Sequence, residues 1–249
     1  MLDSVAPRAR TGRRAAAPPT HSQRLREKLL LLAGPVRAAN RSLWTHPRLG
    51  DLMPEYLYLL HCSARASVPL METARTRAAH LAASDPVAAA LADYLTVHIP
   101  EERDHDRWLL EDLAALGGSP STVAARVPPP AVAALAGSQY YWVLHHHPVA
   151  LLGYIAILEG FPLPARELER AIARTALPRA AFRTLLEHSD LDRAHRDGLF
   201  AMLDRLPLTD ESATVITVSA LTTLDLTTRL VEGLVAAFGP SARRRGLRE

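Results

Sequence analysis

The sequence predicts an all-α protein, a single bundle of about seven helices, and three observations carry that expectation. Hydrophobic residues make up 48% of the 249-residue chain with only 5% aromatics, and Ala and Leu predominate, as in a helical core. From about residue 22 to 238 they recur at alternating steps of three and four, the spacing of one helix face, with no alternating strand pattern of useful length. No internal repeat or linker divides the chain. The expected organisation is therefore a disordered basic tail over 1–20, one helical domain over 21–240 and a basic tail over 241–249.

The elements follow in order. An opening helix over "SQRLREKLLLLA" is interrupted by Gly34 and Pro35, and helix resumes towards "RSLWTHP". A long helical pair from Asp51 to Ala82 carries Pro69, where the lost N–H predicts a kink. Asp85 followed by Pro86 reads as an N-cap and first helical position. That helix runs on to Leu116 and stops at Gly117 and Gly118, with a kink expected at Pro100. The stretch "SPSTVAARVPPP" reads as a loop, and "AVAALAGSQYYWVLHHHPVALLGYIAILEG" as the next helix. A short "ARELERAIART", a long helix over "FRTLLEHSDLDRAHRDGLFAML" and a closing helix over "DESATVITVSALTTLDLTTRLVEGLVAAF" complete the bundle.

Charge and cysteine content narrow the class. Four arginines against one acid in each of residues 1–20 and 241–249 account for +6, so the formal +3 of the chain leaves −3 over residues 21–240. A mildly acidic domain lacks the basic face that nucleic-acid binding needs. No apolar run is long enough for a membrane span, and the N-terminus has basic residues without the apolar stretch of a secretion signal. The single Cys62 excludes a disulfide framework and a thiolate metal cluster. A cytoplasmic protein without nucleic-acid or membrane partners is expected, with room for a homodimer.

Polar residues on greasy faces point to the chemistry. The four-three walk through 181–206 gives Ala181, Leu185, His188, Asp192, His195, Leu199, Met202 and Leu206, an apolar stripe with three ionisable groups in its middle. A buried carboxylate or imidazole must be neutralised, paired or coordinated. The same walk through the Asp85 helix gives Leu91, Leu95, His98, Glu102, His105 and Leu109, and Glu159 ends the apolar stripe of Leu152 and Ile155. Glu101 could reach His105 at i,i+4 from beside the stripe. Glu102, His105, Glu159, His188, Asp192 and His195 form an oxygen and nitrogen ligand set suited to iron or manganese. Six side chains exceed the three protein ligands usual for a catalytic zinc and suit two octahedral ions. Two ferrous ions would carry +4 against −3 from the carboxylates, which favours an anionic substrate group.

Glu102-x2-His105, then Glu159, then His188-x3-Asp192-x2-His195 resembles the haem-oxygenase-like di-iron oxidases, including members labelled iron-containing redox enzymes. "LWTHPRLGDLMPEYL", "EERDHDRWLLEDL" and "HPVALLGYIAILEG" add to the likeness, which covers roughly residues 24 to 235. The resemblance implies a seven-helix haem-oxygenase-like fold, two Fe2+ ions held by those six residues, and O2 as co-substrate. It also implies oxidation of a small molecule: N-oxygenation, carbon–carbon cleavage of amino or fatty acids, or desaturation. Some relatives place the first Glu seven residues before its His, where this chain has His98, so Glu102, Glu101 and His98 remain alternatives. Two competing readings are a haem oxygenase, for which His21 is the only nearby proximal ligand, and a non-catalytic protein whose buried charges pair with one another. His145, Arg65, Tyr140, Tyr141, Trp142 and Cys62 are read as surface, core or interface residues, with Arg65 a partner for a substrate carboxylate only if it faces inward.

Overall fold

The computed structural model describes residues 18–160 and 163–239, and within these the side chains of residues 190–194 lie outside the description. Eleven α-helices and no strand occur among the described residues. The all-α class is as expected, but the count exceeds seven because Gly, Pro and left-handed residues cut the long periodic stretches into shorter helices.

Helix α1, His21–Leu32, begins with a capping box: the Thr20 hydroxyl accepts from the Gln23 backbone N–H while the Gln23 side chain accepts from Thr20. Gly34 and Pro35 restart the chain as α2, Gly34–Trp44. The expected pair then appears as one helix, α3, running unbroken for 33 residues over Leu49–Leu81 with Pro54 and Pro69 inside it. Proline removes one ladder bond, and the apolar contacts of so long a helix hold it together across both. Its buried face includes Leu52, Leu57, Leu70 and Met71.

Asp85 caps α4, Pro86–Glu102, by accepting from the N–H groups of Val87 and Ala88 at 2.8 and 3.0 Å. The break that was expected at Pro100 comes three residues later. Asp104 adopts the left-handed conformation at φ 71°, which Asp tolerates better than most residues, and α5, His105–Ala115, starts anew. Glu102 and His105 therefore flank a helix junction and do not share one helix face. The presumed loop contains α6, Pro120–Ala124. The next long stretch also divides, into α7, Pro130–His145, a 3-10 turn at Pro148–Ala150, and α8, Leu151–Leu158. Then come α9, Ala165–Thr175, α10, Arg183–Arg205, and α11, Asp210–Ala237.

Helix α3 packs along α4, α5 and α7, and α11 packs along α8, α2 and α7. Residues 151–157 of α8 are all buried. Gly153 makes this possible, since a Cβ there would collide with the Ile216 carbonyl of α11. A buried polar bridge ties α7 to α11: Ser219 donates to Gln139 Oε1 at 2.8 Å, and Gln139 Nε2 donates to Thr223 at 3.2 Å.

The apolar core falls into two clusters. One gathers Leu91, Leu95, Ile99, Ile155, Leu199 and Leu203. The other gathers Leu52, Leu57, Leu109, Leu113, Phe182 and, at its edge, Leu185. Helices α4 and α5 pass from the first to the second between residues 99 and 109, and α10 passes the other way between 185 and 199. The residues at that seam are the polar ones.

Candidate metal centre

Four side chains meet at the seam. One ligand atom from each of His98, Glu102, Glu159 and His195 lies within 4.8 Å of the other three. His98 and Glu102 are one turn apart on α4, Glu159 is the residue that ends α8, and His195 lies in α10. His98 and Glu159 are 3% and 6% exposed, so the group sits inside the protein.

The contacts have a direction. His98 Nε2 lies 3.1 Å from Glu159 Oε1, and His195 Nδ1 lies 3.5 Å from Glu159 Oε2 and 3.4 Å from Glu102 Oε1. The other oxygen of Glu102, Oε2, lies 3.1 Å from His105 Nδ1. The His105 ring in turn meets the His188 ring edge-on at 4.6 Å between centroids. Glu102 thus stands between two imidazole groups, His98 with His195 on one side and His105 with His188 on the other. Trp108 covers His105 at 4.5 Å, and Tyr94 stacks on His98 at 5.1 Å.

Burial and proximity pull the titrations in opposite directions. Burial raises the Glu159 carboxyl above the usual range, against the pull of His98. For Glu102, burial also raises, but the bond to His105 and the nearby His98 and His188 outweigh it, and the net direction is down. Burial would lower His98, yet the bond to Glu159 and the surrounding carboxylates raise it overall. The Tyr94 hydroxyl is pushed up, by burial first and then by Glu159, Glu102 and Glu101.

Whether these residues fit a cation can be tested on their unmet valence. Glu102 Oε1, Glu159 Oε2 and His195 Nδ1 are buried and have no hydrogen-bond partner, a costly condition for polar atoms. All three face one another. Two carboxylate oxygens and imidazole nitrogens converging without sulfur are donors for iron or manganese, and a cation would satisfy them together. The residues fit the group.

Of the sequence-predicted ligands, the structure brings together Glu102, His105, Glu159, His188 and His195. The side chain of Asp192 lies outside the described residues. His98 joins the group, which resolves the three alternatives towards His98 together with Glu102, since α4 stays helical through Pro100. Glu101 is 49% exposed and sits at the rim, 3.5 Å from His98 Nδ1 and 3.7 Å from His195 Nε2. Cys62 is buried and His145 is exposed. Arg65 is exposed and donates to the Ala124 carbonyl at 3.4 Å. His21 stands in the first turn of α1 beside Asp204, away from the seam.

A cavity of about 530 Å3 opens against this group and is lined by Glu102, His105, Glu159 and His188 at the seam. Its other walls come from α2, α3, α8 and α11, which the sequence offered no means of assembling, because no motif marks them.

The sequence pattern of a family described as "Iron-containing redox enzyme" matches residues 69–228. Among solved structures, a domain of unknown function with a heme oxygenase-like fold from Shewanella denitrificans superposes with a TM-score of 0.71 at 18% identity, covering 86% of this chain and 92% of its own. A TenA homolog from Pseudomonas syringae pv. tomato superposes with a TM-score of 0.66 at 14% identity, covering 92% and 98%. At these identities the likeness shows the fold, which is heme oxygenase-like. No curated protein matches.

Proposed function

Because the chain belongs to the iron-containing redox enzyme family, we propose that the seam holds two iron ions and that the protein is a non-haem oxidase or oxygenase that uses O2 to oxidise a small molecule. The observation that carries the proposal is the position of Glu102, with one carboxylate oxygen turned to His195 and the other to His105. A single carboxylate between two imidazole groups is the arrangement that a pair of cations needs. His98, Glu102, Glu159 and His195 would hold one ion; Glu102, His105 and His188 would hold the other. Ferrous iron there would supply electrons for the reduction of O2, with the substrate oxidised beside it.

The chain's own residues set the conditions. The apolar clusters on both sides of the seam keep bulk water from the carboxylates, which strengthens every electrostatic contact within it. Tyr94 and Trp108 hold the rings of His98 and His105 in place. The cavity admits a substrate against Glu102 and Glu159.

Self-pairing of buried charges without a metal accounts for the His98–Glu159 and His105–Glu102 contacts, but it leaves Glu102 Oε1, Glu159 Oε2 and His195 Nδ1 without partners. The test is anaerobic titration with Fe2+, followed by iron analysis and an O2 electrode. Two ions per chain and O2 uptake are expected. No iron retained, or a Soret band with degradation of added haem, would overturn the reading.

A further inference from the structure

The cavity at the seam has a chemical character of its own. Its volume of about 530 Å3 lies within the ~300–1,000 Å3 typical of small-molecule sites. Between its ends the walls are apolar, with Leu60, Ala64, Met71, Ile157, Leu224 and Leu230 among them. Most hydroxyls that reach it are already engaged. Ser63 donates to the Leu59 carbonyl, Ser189 to Leu186 and Thr227 to Thr223, and Ser67 bonds Tyr154 as well as the Ser63 carbonyl.

Away from the seam, two polar side chains stand out in the lining, Arg37 and Asn40 of α2. They are three residues apart and share a helix face. Helix α2 packs on α11 and α1 and not on the helices that carry the imidazoles, so the cavity separates these two residues from Glu102 and Glu159. Arg37 is exposed and marks the mouth. Other surface arginines are paired, as Arg126 with Glu55, Arg179 with Glu169 and Arg183 with Glu111. The guanidinium of Arg37 has no carboxylate partner among the described residues. A forked cation beside an amide is suited to a carboxylate.

We propose that the cavity binds a single-headed amphiphile, its carboxylate held at the mouth by Arg37 and Asn40 and its apolar chain extended towards the seam. The position presented to the seam is then a chain carbon, not the head group. The proposal rests on the reading of the seam as an iron centre for its chemistry, while the binding it predicts is measurable without iron.

Calorimetric titration of hexanoate, octanoate, decanoate and decan-1-ol tests it, on the full chain both stripped of iron and loaded anaerobically. Affinity for the acids should rise about fourfold per methylene, the worth of one buried CH2, with and without iron. Arg37→Gln should weaken decanoate at least about tenfold, the loss of a charge-assisted bond, and leave decan-1-ol unchanged. Leu60→Trp, filling the cavity in a chain whose helical circular dichroism is intact, should abolish both. Decanoate binding that requires iron and ignores Arg37→Gln would place the head group at the seam and overturn the proposal, as would affinity independent of chain length. Iron uptake at two ions per chain without decanoate binding would overturn it and leave the iron reading standing. Decanoate binding of the expected kind without iron uptake would sink the iron reading and support the assignment of the pocket.

Discussion

Glu102 carries more of the function than any other side chain, because each of its oxygens serves a different imidazole group. Glu102→Ala should bring iron below one ion per chain, whereas Glu101→Ala, removing a half-exposed carboxylate at the rim, should leave iron content near that of the parent; metal analysis of the two purified variants decides. His98→Ala should cost one ion of the two. These choices were only partly legible beforehand. The four-three walk picks out His98, Glu102 and His105 as a stripe and shows that the apolar face is interrupted there. It does not rank neighbours within one turn, and the ranking depends on where the helix stops. The stop is at Asp104, an aspartate at φ 71°, with no glycine or proline to announce it. Pro100, the visible signal, is absorbed by α4, since a helix can lose one N–H donor when its apolar neighbours Leu95 and Ile99 are well packed. Arg37 and Asn40 were invisible for a different reason: an exposed arginine gains meaning only when a cavity is found behind it.

Helix ends and crossings set the position of those side chains. The Asp85 carboxylate caps α4 and also lies 2.8 Å from His147 Nε2, tying the start of α4 to the segment before α8. Asp85→Ala should cost about 1 kcal/mol in chemical denaturation, the usual worth of an N-cap. Burial raises the Asp85 carboxyl, but the N–H of Ala88, the ring of His147 and the N–H of Val87 together hold it below its ordinary value. A carboxyl lowered in the folded state adds stability that is complete above its unfolded pKa of about 3.9 and disappears as pH falls through the folded value. The Asp85→Ala penalty should therefore shrink in unfolding curves taken progressively below about pH 4. At the crossing of α8 and α11, Gly153→Ala should destabilise towards the upper end of the ~1–3 kcal/mol of overpacked sites, since the added methyl meets backbone and not a movable side chain. Periodicity anticipated that α8 is buried but could not show this contact, because a glycine in an apolar helix reads the same whether it faces a void or another backbone.

The whole molecule places its charged seam between two apolar clusters, and that arrangement predicts how metal affects folding. A ligand that binds only the folded chain stabilises it by mass action, about 2.7 kcal/mol at a hundredfold excess over Kd. For a chain of this size that corresponds to a rise in thermal midpoint of roughly 5–10 °C. Scanning calorimetry with and without anaerobic Fe2+ should show it, and His195→Ala should remove it. The helical class and the polar stripes were evident from sequence because both are periodic, whereas the division into eleven helices was not, because it depends on which prolines and glycines the packing tolerates. No helix among the described residues is long and apolar enough to cross a membrane. One consequence follows from the contact at Gly153. With that residue pinned against α11, the span from Gly153 to Glu159 acts as a ruler: inserting one residue within it would swing the carboxylate by about 100° out of register with His98, while exchanging any single residue along it would not. Such an insertion should yield a chain with undiminished helicity and no capacity to retain iron.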